Sequence, residues 1–433
     1  MTAKKNRTAY VNARLLDPAS GLDAKGALLT EGGEILDLGP KLFADGVPDG
    51  IERIDCQGHC LAPGLIDARV QLREPGYEHK ETMTTASLAA ASGGVTTMLC
   101  LPNTDPVIDG VALVELVKRR ALDAGLINVH PYAALTQGLG GEQITEMGLL
   151  AEAGAVAFTD GIATVANAMT FRRALDYART FDLLIVQHPE DPALANGGVM
   201  NEGELATRLG LAGIPTAAET ILVERDLRLL ELTGGRYHAA HLSTADAIEA
   251  VRRAKKKGLN VTCETAPPYF ALNETAVGDY RTFAKLSPPL RDETDREAVI
   301  EGLKDGTIDL IASDHAPHDQ DSKRLPFVQA ENGIVGLETL LPLTLELVHN
   351  GSLPLLRALE AVTVAPARVF RLAGGVLAKG KPADLVLFDL EKPWKIDVER
   401  FRSKSKNSPF DGRPVQGVVL RTVAAGQPAF VQE

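Results

Sequence analysis

Residues able to do chemistry gather at the ends of short apolar runs. Arg69, Gln71 and Arg73 stand at the end of Leu65–Leu72, Asn103 follows Val95–Leu101, and Asp160 closes Ala155–Asp160. His188 follows Leu183–Gln187, His241 lies in Tyr237–Leu242, Glu264 ends Asn260–Glu264, and Asp314 follows Ile308–Ser313. The last of these opens Asp314–His315–Ala316–Pro317–His318. Two neutral imidazoles and a carboxylate suit a zinc ion that acidifies bound water, with the carboxylate as general base. A solvent-facing rim also carries polar residues for no chemical reason, and either histidine alone reads as an ordinary hydrogen-bonded one. The set acquires a role only if one framework aims its members at one place. His59, His79, His130, His238 and His349 fall on no common site and read as structural.

The runs themselves, with Val129–Leu135 completing eight, are short and rich in apolar or β-branched residues, as strands buried on both faces are. Between them lie stretches with helical spacing, such as Val223, Leu227 and Leu230, often closed by glycine or by a basic tail. Lys255–Lys256–Lys257–Gly258 is such a tail, a solvated helix end favoured by the macrodipole. Strands alternating with helices predict an α/β fold, a TIM-like (β/α)8 barrel over residues 61–372, with chemistry at the C-terminal strand ends. A doubly wound open sheet is the alternative. Residues 8–60 and 374–433 instead alternate with period 2 between glycine-rich turns, as in Tyr10–Leu16 and Ala383–Asp389. Residues 1–60 and 373–433 are therefore expected to pair into one small β-sandwich domain built from both chain ends.

With 433 residues, 45% of them hydrophobic, the chain can bury a large core. Its 45 basic and 57 acidic residues give a net charge of −12, which argues against a nucleic-acid partner. No apolar run reaches the roughly 18 residues of a membrane span, and the polar start MTAKKNRTAY is unlike a secretory leader, so a cytoplasmic location is expected. Cys56, Cys60, Cys100 and Cys263 are too few for a disulfide framework and read as structural thiols.

The ordered motifs resemble the amidohydrolase superfamily and, within it, the dihydroorotases of pyrimidine biosynthesis. They are Pro63–Gly64–Leu65–Ile66–Asp67, Leu72–Arg73–Glu74–Pro75–Gly76, Glu78–His79–Lys80–Glu81–Thr82 and Gly93–Gly94–Val95–Thr96–Thr97. Leu101–Pro102–Asn103–Thr104, Gly213–Ile214–Pro215, Pro288–Pro289–Leu290–Arg291, the Asp314–His318 run and Lys404–Ser405–Lys406–Asn407–Ser408–Pro409–Phe410 follow in order. The resemblance implies metal or catalytic roles for His188, His241 and Asp314, with Arg73, Asn103 and His318 holding the substrate's carboxylate and ring. It also marks departures. Arg69 and Gln71 stand where such enzymes carry H-x-H, Gly161 stands where the bridging aspartate belongs, and Ser287 replaces a substrate-contacting asparagine.

Residues 69 and 71 share one side of a strand, so Arg69 and Gln71 project where the two imidazoles would have pointed. A guanidinium about 4 Å from a dication would cost about 8 kcal/mol at an effective dielectric near 20. At most one zinc ion, on His188 and His241, is therefore expected. Arg69 is expected to fill the vacated place and pair with Asp314, because the eighth strand closes beside the first. The losses favour a catalytically impaired chain resembling the dihydroorotase-like partners of aspartate transcarbamoylase. Retention of Asp314 favours an active single-zinc dihydroorotase instead. A hydantoinase or allantoinase is a further option against which Arg73 and Asn103 argue. The resemblance also implies a homodimer.

Overall fold

The computed structural model describes residues 6–432; the first five residues of the polar start lie outside the described residues. Period-2 alternation at the chain ends becomes strands β1 (Arg7–Asp17), β2 (Leu22–Glu31), β3 (Glu34–Gly39), β4 (Glu52–Asp55) and β5 (Cys60–Pro63). The barrel contributes β6 (Leu65–Val70), β7 (Val95–Cys100), β8 (Asn128–Pro131), β9 (Leu184–Gln187), β12 (Arg236–Ala239), β13 (Val261–Thr265) and β14 (Leu310–Ile311). The short β10 (Met200–Asn201) and β11 (Gly213–Ile214) pair with each other in the excursion between β9 and β12. The chain ends with β15 (Leu385–Lys395), β16 (Pro414–Ala424) and β17 (Gln427–Val431).

The two ends join through β5, which runs parallel to β1 and antiparallel to β15, with Leu61 opposite Leu15 on one side and Leu387 on the other. The result is one sheet in the order β17-β16-β15-β5-β1-β2-β3, with β4 alongside β1. Leu15, Leu28, Ile35, Leu61, Leu385 and Val423 form part of its apolar filling.

Gly64 alone separates this sheet from the barrel, and a Cβ there would collide with the Thr96 side chain at 2.2 Å. Two parallel groups, β6-β7-β8 and β9-β12-β13-β14, make up the barrel wall. The expected fourth strand, Ala155–Asp160, is instead an extended segment with isolated bridges from Phe158 to Ala133 and Ile185. Its bonds still join the groups: Phe158 N–H donates to Leu184 O at 3.0 Å and Thr159 N–H to Ala133 O at 3.0 Å. Gln71 N–H donates to His315 O at 2.8 Å and Val70 bridges His315, so β6 meets the segment after β14. That closure excludes the open doubly wound sheet, because an open sheet would leave both edges unpaired.

The helix Ala217–Thr233 buries Val223, Leu227 and Leu230 against the wall, as their spacing predicts. The helix Ala245–Lys256 ends in its basic tail. Glu219, 1% exposed, accepts from the backbone N–H and the hydroxyl of both Ser243 and Thr244, fixing the turn that carries His241. Replacing Glu219 by alanine is expected to cost about 3 kcal/mol or more in a urea melt, because four donors lose a buried charged acceptor.

Candidate active site

Arg69, on β6, is 1% exposed. Its Nε donates to Asp314 Oδ1 at 2.9 Å and its Nη2 to the Gly161 carbonyl at 3.1 Å, as the expected pairing requires. Among the described residues Nη1 finds no hydrogen-bond partner. Burial opposes ionisation of Asp314, but His241 and Arg69 beside it outweigh burial and hold the carboxyl below the usual carboxylate range. His241 is pushed down to about 4, first by burial and then by the Arg69 cation, so at neutral pH it is an uncharged imidazole. Its Nδ1 lies 3.3 Å from Asp314 Oδ2 and its Nε2 lies 2.6 Å from His188 Nδ1. His188 Nε2 then faces Ser287 Oγ at 3.4 Å and Glu190 Oε1 at 3.8 Å, which places Ser287 beside the histidine pair.

A second group stands across the same cavity of about 470 Å³. Arg73 donates from Nε to Pro317 O at 3.1 Å, and its Nη2 lies 3.1 Å from His318 Nε2. Burial pushes Arg73 down only to about 10, so it remains a cation at neutral pH, and both recorded partners are uncharged. Burial, then Arg73, Lys80 and Lys323, push His318 down to about 2. Asn103 donates to Gln71 Oε1 at 3.1 Å, and its own Oδ1 has no partner among the described residues. Arg73 (φ 62°), His241 (φ 36°) and Asp314 (φ 52°) all line this cavity in left-handed backbone conformations. Each such conformation costs on the order of 1–3 kcal/mol, and strain of this kind clusters where geometry serves a ligand.

The cavity thus gathers Arg69, Gln71, Arg73, Asn103, His241 and Asp314, with Ser287 and His318 also on its wall. Asp160 is elsewhere: it accepts from the Thr136 backbone at 2.8 Å and from the Thr136 hydroxyl, ordering a loop. Glu264 faces His238 at 3.3 Å, both buried. His188 touches His241 without lining the cavity. Sequence reasoning missed Tyr77, Lys80 and the Glu331–Asn332–Gly333 wall. Lys80 carried a signal, since it lies in the Glu78–Thr82 motif, whereas residues 331–333 carried none. Buried lysines hold that wall. Lys323 Nζ donates to Glu331 O at 2.6 Å and Gly333 O at 3.2 Å, and Lys285 Nζ to Val328 O at 3.0 Å and Ala330 O at 2.7 Å.

Zinc in a catalytic site takes three protein ligands. Among the described residues no group of three His, Cys, Asp or Glu side chains is gathered to hold an ion. Gly161 supplies no carboxylate, Asp160 turns away, and Asp314 is committed to a guanidinium. The side chains present therefore do not fit a zinc centre. Wild-type protein dialysed after zinc loading is expected to retain well under one ion per chain by elemental analysis. Arg69→His/Gln71→His/Gly161→Asp, which restores three donors, is expected to retain more; equal retention would remove Arg69 as the cause.

His318 also makes stability depend on pH. It is neutral when folded down to about 2, but when unfolded it binds a proton below its ordinary value near 6.5. The unfolded state then holds more protons, so this group's contribution falls as pH drops below about 6.5. His318→Asn is expected to flatten the pH 7 to 5 slope of the urea midpoint, and an unchanged slope would show that His318 is not held neutral.

With this geometry in view, the comparisons with known proteins agree in one direction. The family described as Dihydro-orotase-like matches residues 58–247, and the Amidohydrolase family matches residues 332–430. A dihydroorotase of Anaplasma phagocytophilum (strain HZ) is 51% identical over 98% of this chain and 95% of its own length. Dihydroorotases of Wolbachia sp. subsp. Brugia malayi (strain TRS) and Pelobacter propionicus (strain DSM 2379 / NBRC 103807 / OttBd1) are 49% and 47% identical. They cover 99% and 97% of this chain, and 96% and 98% of their own lengths. Among solved structures, an L-hydantoinase (dihydropyrimidinase) from Arthrobacter aurescens superposes with a TM-score of 0.86 at 27% identity, covering 99% of both chains. A D-hydantoinase (dihydropyrimidinase) from Thermus sp. gives 0.83 at 25% identity, covering 98% of this chain and 95% of its own. The hydantoinases thus share the architecture of barrel plus end-built sheet, while the far higher identities carry the name dihydroorotase. On these grounds the chain belongs to the dihydroorotase family of the amidohydrolase superfamily.

Proposed function

We propose that this chain is a dihydroorotase, hydrolysing the cyclic amide of dihydroorotate reversibly to carbamoyl aspartate. One observation carries the reading: a single cavity holds the ionised Asp314 together with Arg73, Asn103 and His318. Arg73, a cation with only uncharged partners, takes the substrate carboxylate. Neutral His318 and the free Oδ1 of Asn103 fix the ring's amide groups. Asp314 removes a proton as the water oxygen adds to the ring carbonyl carbon, and returns it to the nitrogen as the C–N bond breaks. Zinc is compatible with membership of this family, but these residues do not complete its ligand set, so the proton transfers rest on Asp314.

The Arg69–Asp314 ion pair favours a second reading, because a carboxylate bonded to a guanidinium is a weaker base. In that reading the chain is a non-hydrolytic, homodimeric partner of aspartate transcarbamoylase. Ring opening of dihydroorotate, followed by ultraviolet absorbance with and without added zinc, separates the two. Asp314→Asn is expected to lower turnover about 10³-fold. No turnover above that blank, together with co-sedimentation of the chain with aspartate transcarbamoylase, would overturn the enzyme reading.

A further inference from the structure

The motif Lys404–Ser405–Lys406–Asn407–Ser408–Pro409–Phe410 has no part in the proton transfers described above, yet it reaches the cavity from behind. Asn407 is 2% exposed and spends its side-chain amide on the segment that bears His318. His318 N–H donates to Asn407 Oδ1 at 3.0 Å. Asn407 Nδ2 donates to Ala316 O at 3.0 Å and to Gly333 O at 3.0 Å. Its main-chain carbonyl accepts from Val335 N–H at 3.0 Å. One residue thus ties the stretch after β14 to the 331–333 wall, and both face the cavity through His318 and Gly333.

The same stretch supports Arg73, whose two recorded partners are the Pro317 carbonyl and the His318 ring. Among the described residues no carboxylate hydrogen-bonds to Arg73, and Glu331 acts on it only through space, so its aim depends on where residues 316–318 are held. We propose that Asn407 is a positioning residue for the anion-holding end of the cavity, setting Arg73 and His318 through the backbone of residues 316–318 and closing the wall at Gly333. The proposal rests on the dihydroorotase reading for the identity of the ligand. It assigns to the strap before β16 a part in ligand affinity rather than in proton transfer.

The test is calorimetric titration of the full chain with dihydroorotate and with carbamoyl aspartate, alongside steady-state kinetics. Asn407→Ala is expected to raise Kd and KM about tenfold, the equivalent of one lost net hydrogen-bond contribution, and to leave kcat within about threefold. Asn407→Asp is expected to be worse, because it sets a second acceptor against Ala316 O and Gly333 O. Thr422→Val is the stability control. It removes a buried hydroxyl bond to Ala91 O at 2.6 Å in the end-built sheet and is expected to leave Kd unchanged. Unchanged affinity in both Asn407 variants, or an equal loss in Thr422→Val, would overturn the positioning role while leaving the dihydroorotase reading intact. Failure of wild-type protein to bind either compound would overturn both.

Discussion

Arg69→Met is expected to destabilise the protein by about 3–5 kcal/mol in urea denaturation at pH 7, because it strands a buried carboxylate without its cation. Arg69 and Asp314 have side chains 1% and 8% exposed and meet at 2.9 Å, so the pair is largely withdrawn from bulk solvent. Removing both charges should cost far less, and Arg69→Met/Asp314→Leu is expected to recover most of the loss. The pH dependence follows from the direction of the Asp314 shift. In wild type the folded carboxyl titrates below its ordinary value, so its contribution is present above that value and is lost as pH falls through the folded pKa. In Arg69→Met burial acts with less opposition, and the folded pKa moves up from its wild-type position while His241 still holds it down. The penalty is then largest at neutral pH and shrinks on acidification, so the two stability curves should converge as pH falls through the folded carboxyl's range. A loss below about 1 kcal/mol with parallel curves would mean the pair is solvated like a surface salt bridge.

Arg73→Gln is expected to weaken dihydroorotate binding about 10²- to 10³-fold by calorimetry, the cost of removing one partner of a buried charge pair. Arg73→Lys keeps the charge but loses the two-pronged geometry, and about a tenfold loss is expected. Neither change should destabilise the fold much, since among the described residues Arg73 hydrogen-bonds only to uncharged groups and burial disfavours its charged form more than the Glu331 charge favours it. An unchanged or raised melting temperature alongside lost affinity would mark a residue retained for a ligand. Unchanged affinity would remove Arg73 from the proposed carboxylate contact, and with it the orientation of substrate given above.

The barrel was legible because strands buried on both faces write themselves as short apolar runs, and helices between them as 3.6-residue spacing. Ala155–Asp160 shows the limit of that signal. It has the composition of a strand, but isolated bridges and cross-bonds place it in the wall without a regular ladder. The replacement of H-x-H by Arg69 and Gln71, and the loss of the carboxylate at Gly161, were legible as residue identities. From the strand period alone it also followed that residues 69 and 71 share a side, and from barrel closure that Arg69 lies near Asp314.

What the amino-acid sequence determined by itself was the family, the barrel, the union of both chain ends and the exchange of imidazoles for a guanidinium. Each is local, written in periodicity or in a short motif. Only the tertiary structure decided that Asp160 serves Thr136, that Glu264 faces His238, and that Lys80 and residues 331–333 border the cavity. It also brought Asn407, 89 positions along the chain from His318, against that residue's backbone. These outcomes depend on which loop carries a carbonyl or amide into reach of a side chain. Such contacts are set by packing between distant segments, and no spacing along the chain encodes them.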